Sequence, residues 1–336
     1  MTLELTWGIT DEEFEQEMKL IAESGITWGR VGMAWYDIER TGKGQYYEPG
    51  IAMIDKAVER LTKLGVNIIA EIDFVPDWAN GAVGQRYKPA TVAQNWKDYV
   101  TYCVDRWGDT VKHWGIWNEP NHPSFFYPTP NAATYTTILK DAYAAAKAAD
   151  PTCKVVLGGL SFNDYTFLEA MYTAEPNLNN YFDIIDLHPY TRGGVGPSVV
   201  YNDGPGGRIS KDSFTGYKEV GEVIASHGSR KPIWFTEMGW STNNNPAQTL
   251  GGVSEALQAQ YTEEAFRIMQ EQYLKQEDYY VSVACVYILR QSWVGPGGEA
   301  ASPGDWVTHL SLVKYDWTRK PAFETLCGIR GEGWEL

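Results

Sequence analysis

"VNIIAEI", residues 66–72, is a short and almost continuously apolar stretch, and four others share its character: "KVVLGG" (154–159), "FDIIDLH" (182–188), "PIWFTEMG" (232–239) and "VSVACVYIL" (281–289). A strand with one face in water alternates apolar and polar residues. One buried on both faces does not, so these runs read as parallel strands covered by helices. Helical patterns separate them. "DEEFEQEMKLIAESG" carries Phe14, Met18, Ile21 and Gly25 on one face, and Thr10 with Glu13 forms a capping box at its start. "IAMIDKAVERLTKLG" repeats the pattern with Ile51, Ile54, Val58 and Leu61 and stops at Gly65. "TVAQNWKDYVTYCVDRW" follows with Val92, Trp96, Val100, Cys103 and Trp107.

Strands are expected near 4–8, 27–33, 67–73, 112–118, 154–159, 183–188, 232–238 and 281–289, each followed by a helix, the last near 318–328. Eight strand–helix units predict a (β/α)₈ barrel, read as a single catalytic domain over residues 1–336. A doubly wound sheet is the competitor, but no GxGxxG follows the first strand. The Gly/Pro-rich stretches 191–213 and 291–309 both follow strands, which places them at the C-terminal rim where barrels keep their active sites.

Two carboxylates stand at that rim. Glu119 closes "KHWGIWNEPN" (112–121) at the end of the fourth strand, and Glu237 in "WFTEMGW" ends the seventh. In a barrel both point into one mouth, and two carboxylates in one pocket are what glycoside hydrolysis requires.

The motifs resemble the clan A glycoside hydrolases, and more narrowly glycoside hydrolase family 39 with its short, barrel-only relatives acting on polysaccharides. "WNEP" and "TEMGW" carry the likeness as a pair. "WGRVGMAWYDIER", "VPDWA", "DPTCKVVLGGL", "FDIIDLHPY" and "SLVKYDWTRKPAF" extend it along the chain. The resemblance implies a retaining enzyme with Glu119 as general acid/base and Glu237 as nucleophile. It also implies that Asn118 bonds the sugar's 2-hydroxyl, that Arg30 keeps Glu237 ionised, and that His188 and Tyr190 orient one or both carboxylates. Trp293 would form a stacking floor, and Trp35, Trp78 and Trp240 would line sugar subsites. Each has a plainer rival: an arginine after a strand often pairs structurally, a rim histidine is often only hydrogen-bonded, and tryptophans fill cores. Trp96, Trp107 and Trp114 read as packing, Asp73 and Asp77 as extra carboxylates on the minus side, and Asp186 as barrel structure.

Composition bounds the partners. A net charge of −15 argues against nucleic acid and anionic membranes, whereas 14 Trp and 21 Tyr suit a carbohydrate site, since sugar C–H faces pack on aromatic rings. Cys103, Cys153, Cys285 and Cys327 lie far apart with no metal-binding spacing, so no metal and no cofactor is expected. No stretch reaches membrane-spanning length, and "MTLELTWGIT" carries no leader pattern. Read literally the chain is cytoplasmic; a trimmed secreted or virion-associated protein reads the same. Oligomeric state leaves no mark in the sequence. The sequence ends about where the barrel closes, without the β-sandwich of many family 39 exo-enzymes, so endo action on a polysaccharide or oligosaccharide is expected. The alternatives are an exo-acting β-xylosidase or β-glucosidase type and a non-catalytic carbohydrate-binding barrel. The last is disfavoured because both carboxylates are present.

Overall fold

A computed structural model describes residues 1–3, 9–243, 251–275, 278–290 and 307–331. Eight parallel strands follow one another in chain order: β1 (Thr2–Leu3), β2 (Trp28–Gly32), β3 (Asn67–Ile72), β4 (His113–Ile116), β5 (Lys154–Ser161), β6 (Ile184–His188), β7 (Ile233–Met238) and β8 (Val281–Val286). The two edges of the sheet come round to each other. Leu289 N–H donates to the Thr2 carbonyl at 3.4 Å, and Thr2 Oγ1 donates to the Thr236 carbonyl at 2.8 Å. The expected (β/α)₈ barrel is the observed architecture. The first strand expected near 4–8 lies outside the described residues, and β1 precedes it.

Helices form where the apolar spacing places them. Helix Asp11–Ser24 opens on Thr10, whose hydroxyl accepts from Glu13 N–H while the Glu13 carboxylate accepts from Thr10 N–H, and it ends at Gly25 in the left-handed conformation. Its Phe14, Met18 and Ile21 face the outside of the barrel, as do Ile51, Val58 and Leu61 of helix Glu48–Lys63 and Val100 and Cys103 of helix Ala93–Trp107. All four cysteines are free thiols, and three are buried.

A second, smaller core fills the barrel interior near the strand starts: Ile69, Val156, Ile184, Trp234, Val283 and Cys285, with Trp28 against them. The Trp28 ring meets His113 edge-on at 5.0 Å and Trp234 at 4.9 Å. Burial lowers His113 to about 4, so this plug stays neutral and apolar. Polar side chains begin one level above it. Because residues two apart share a face, Arg30 above Trp28, Glu71 above Ile69 and Asp186 above Ile184 point inward toward the C-terminal mouth.

Candidate active site at the C-terminal mouth

The strand ends depart from regular geometry where the functional side chains sit. Phe74 after β3, Trp117 and Glu119 after β4, and Phe162 after β5 have positive φ of 49°, 73°, 41° and 59°. Non-glycine residues adopt this region at a cost and cluster where a chain must re-aim side chains. The fourth strand therefore ends at Ile116, two residues before the expected boundary. Its continuation is held from outside: Trp117 N–H donates to Ile72 O at 2.9 Å and Glu119 N–H to Gly159 O at 3.0 Å. The Gly158–Gly159 pair of β5 makes that approach possible. A Cβ on Gly158 would overlap the carbonyls of Ile116 and Trp117, and one on Gly159 would overlap the His188 ring.

Arg30 organises one half of the mouth. Its guanidinium, almost wholly buried, donates to Glu237 Oε1, to Glu71 Oε1 and, at 2.9 Å, to Asn118 Oδ1. Tyr190 Oη donates to the other Glu237 oxygen at 2.8 Å. Burial pushes the Glu237 carboxyl up, but the His188 and Arg30 charges and the Tyr190 hydrogen bond outweigh it and leave it below the usual carboxylate range. Glu71 shares the same arginine and goes the other way. Burial raises it, and the neighbouring Glu237 charge adds to the rise against Arg30. His188 and Arg30 together thus keep Glu237 ionised, and burial with the Glu237 charge outweighs Arg30 at Glu71.

His188 organises the other half and is completely buried. Its Nδ1 lies 3.0 Å from Glu119 Oε1 and 3.6 Å from Glu237 Oε2, and its Nε2 lies 3.2 Å from Thr236 Oγ1. Thr236 gives its one hydroxyl proton to Asp186 Oδ2 at 2.6 Å, while its N–H donates to Asp186 Oδ1 at 2.9 Å. Burial raises Asp186 to about 6, so it is mainly ionised at neutral pH and accepts. Thr236 Oγ1 must then accept from His188 Nε2–H, which assigns that proton. Burial lowers the His188 pKa, but the Glu237 charge, the Glu119 hydrogen bond and the Asp186 charge raise it to about 9. Protonated His188 therefore also carries an Nδ1–H, which donates to Glu119 Oε1.

Glu119, His188 and Glu237 each present a ligand-type atom within 4.8 Å of the other two. The donor set fits a metal poorly. A histidine ligand must be neutral, whereas His188 is held protonated, and Glu237 already faces the Arg30 cation.

The mouth therefore brings together Arg30, Asn118, Glu119, His188, Tyr190 and Glu237. The tryptophans divide differently. Trp35 lies in the short helix Trp35–Ile38, is completely buried, stacks on Tyr99 at 5.1 Å and donates to Glu39 Oε2 at 2.6 Å. Trp240 is buried and donates to Val195 O at 2.9 Å, with its ring edge-on to Tyr261 at 5.7 Å. Both rings lie buried beneath their loops in the helix–barrel layer. Trp78 is half-buried, edge-on to Trp35, and donates to Glu39 O at 2.7 Å. Trp293 lies outside the described residues, and β8 is followed by half-buried Tyr287. Asp77 accepts from Gly84 N–H at 3.0 Å at the start of a short rim helix.

Sequence reasoning passed over Glu71 and Thr236 and read Asp186 as barrel structure. The available signal was a charged residue inside an otherwise apolar run, at the parity that faces the barrel interior.

Paired carboxylates facing each other over a plugged barrel floor define the class: a barrel glycoside hydrolase of the clan A type. The family is more specific. The model of glycosyl hydrolases family 39 matches residues 10–256, and the chain belongs to that family. It is similar to Beta-glucosidase 6 of Oryza sativa subsp. japonica, 28% identical over 149 residues, which are 43% of this chain and 25% of that protein. Aryl-phospho-beta-D-glucosidase BglC of Bacillus subtilis is 24% identical over 111 residues, 32% of this chain and 23% of its own length. The matches thus span about a quarter of these relatives. Among solved structures, a family 39 glycoside hydrolase from Bacteroides cellulosilyticus WH2 superposes with a TM-score of 0.73 at 20% identity, over 96% of this chain and 62% of that one. A monomeric beta-xylosidase from Caulobacter crescentus CB15 gives 0.67 at 16%, over 96% and 65%. At such identities the structural likeness speaks for the fold.

Proposed function

We propose that the protein is a retaining glycoside hydrolase working by double displacement, with Glu237 as nucleophile and Glu119 as general acid/base. One observation carries this reading: the nearest oxygens of the two carboxylates lie no more than 4.8 Å apart. That suits the roughly 5–5.5 Å separation of retaining pairs and leaves no space for the interposed water of inverting ones at about 6.5–9.5 Å. The electrostatics separate the roles. Glu237, held low by His188, Arg30 and Tyr190, is ionised and ready to attack the anomeric carbon. His188 Nδ1–H faces Glu119 Oε1 at 3.0 Å, so the acid has a proton source at its own oxygen. When Glu119 delivers that proton to the leaving oxygen, the C–O bond to the leaving group breaks and the bond from Glu237 to the anomeric carbon forms. The ionised Glu119 then takes a proton from the water that breaks the covalent intermediate. Asn118, with Oδ1 occupied by Arg30, presents its amide N–H to the 2-hydroxyl.

The substrate proposed is a polysaccharide or oligosaccharide cut internally. Gly32, at the end of β2, is exposed and a Cβ there would meet nothing within 4 Å, so β2 puts no side chain across this side of the mouth, which suits a chain running through. The second reading is an exo-acting enzyme, favoured by relatives named for β-glucosidase and β-xylosidase activity. Product chain lengths from a polysaccharide panel separate the two.

Azide tests the roles. With an activated aryl glycoside, Glu119→Ala should still form the covalent intermediate, and azide should release it as a glycosyl azide of the substrate's own anomeric configuration. For Glu237→Ala, azide should enter from the vacated face and give the opposite configuration. Exchanged products would mean exchanged roles, and absence of rescue in both variants would remove the support for this mechanism.

A further inference from the structure

Asp73 follows β3 on the face that carries Ile69 into the interior plug and Glu71 onto Arg30. Alternation brings it to the next level up, at the mouth. It is only 3% exposed. Its carbonyl accepts from Trp35 N–H at 2.9 Å, but no donor among the described residues bonds its carboxylate. The side-chain atoms that are wholly enclosed and unbonded among the described residues, such as Trp114 Nε1 and Asn163 Oδ1, do not include the Asp73 oxygens. Every other carboxylate of the mouth has a partner within the chain: Arg30 and Tyr190 for Glu237, Arg30 for Glu71, His188 for Glu119, Thr236 for Asp186. Burial, reinforced by the Glu71 charge, raises the Asp73 carboxyl well above its ordinary range. A buried carboxyl held without a donor destabilises the free protein, which makes sense where a ligand supplies the donor. Gly32, in register with Glu71 on the adjacent strand, contributes no side chain to fill the space beside it.

We propose that Asp73 determines sugar specificity by accepting a hydrogen bond from the 3-hydroxyl of the sugar whose anomeric carbon reacts. The inference rests on the glycosidase reading above. Asn118, after β4, faces the 2-hydroxyl in that reading. Asp73, after the adjacent β3, lies on the side of Asn118 away from β7 and the nucleophile, so it meets the next position along the ring. Asp73 is therefore a recognition group, and its lost interaction depends on whether the substrate carries that hydroxyl.

The test combines two measurements on the full chain. The first is the Tm of the unliganded protein. Asp73→Asn should raise it, because an unpartnered buried carboxyl has gone, whereas a structural Asp73 would make the variant melt lower and overturn the proposal. The second uses 2,4-dinitrophenyl β-D-glucoside and β-D-xyloside with their 3-deoxy and 4-deoxy analogues. Wild-type kcat/KM should fall about 10-fold on removal of the 3-hydroxyl, the upper end for a hydrogen bond between uncharged groups. Asp73→Ala should lose as much on the parent substrate and less than about threefold further on the 3-deoxy analogue. Equal losses by the variant on parent and 3-deoxy substrates, or coupling to the 4-hydroxyl instead, would overturn it. Failure of the underlying reading looks different: Glu237→Ala would then keep the wild-type rate on the parent glycosides.

Discussion

Replacing Arg30 by methionine removes a cation that faces Glu237, Glu71 and Asn118 together. Methionine has similar bulk, so the change is mainly electrostatic. Two consequences can be sized. An opposite charge at hydrogen-bonding distance lowers a carboxyl pKa by about 1–3 units, so its loss should lift Glu237 by about that much, with the His188 charge still restraining the rise. The acidic limb of kcat/KM, which reports the free enzyme, should move up by about 1–3 pH units. Stability should also fall by about 3–5 kcal/mol at neutral pH, the range for leaving a buried partner unpaired. The pH dependence of that loss has a definite sign. In the wild type the folded-state pKa of Glu237 is depressed, so its contribution is present above the unfolded-state value and is lost as pH falls through the folded one. In Arg30→Met the folded-state pKa is raised instead, and ionised Glu237 opposes folding at neutral pH. The stability difference should therefore be largest near pH 7 and shrink toward pH 4. Urea unfolding at several pH values, beside pH–rate profiles, measures both. Arg30→Lys keeps the charge without the fork, so it should restore the acidic limb while recovering only part of the rate. An unshifted acidic limb with a normal rate, or a stability loss independent of pH, would refute the argument and leave Arg30 a structural residue.

His188, raised to about 9 from an ordinary value near 6.5, should contribute roughly 3 kcal/mol that is fully present below pH 6.5 and lost as pH rises through 9. Urea unfolding should show this loss in the wild type and not in His188→Gln, and kcat/KM should fall above pH 9 as His188 loses the proton that faces Glu119. Exhaustive chelation should leave activity unchanged, because the chemistry uses two carboxylates and the Glu119–His188–Glu237 cluster is already neutralised by protein cations; loss restored by calcium would contradict this. Trp35→Ala should lower stability by about 3–5 kcal/mol through a core cavity, with KM nearly unchanged in the fraction that folds. A large rise in KM at constant stability would return Trp35 to the sugar site.

Much of the barrel was written locally. A strand covered on both faces must be apolar throughout, an amphipathic helix must repeat its apolar face, and Thr10 with Glu13 satisfies its own helix start. None of these needs a distant partner, so the order of strands and helices could be read residue by residue. The meeting of Glu119 and Glu237 was legible for the same reason, since parallel strands in a closed barrel bring all their C-terminal ends to one mouth. What lay beyond the sequence was the height and heading of each side chain at that mouth. Left-handed residues at 74, 117, 119 and 162 and register shifts in β5 and β7 reset the alternation there, and they persist only because neighbouring strands hold them. Trp35 and Trp240 occupy rim positions in the sequence, yet tertiary packing turned their rings inward, where burying a large apolar surface outweighs leaving it for a ligand. Glu71 and Thr236 became part of the site through partners 41 and 48 residues away, Arg30 and His188. A buried ionisable group takes its protonation from whichever charges are packed against it, and only the folded chain determines which those are.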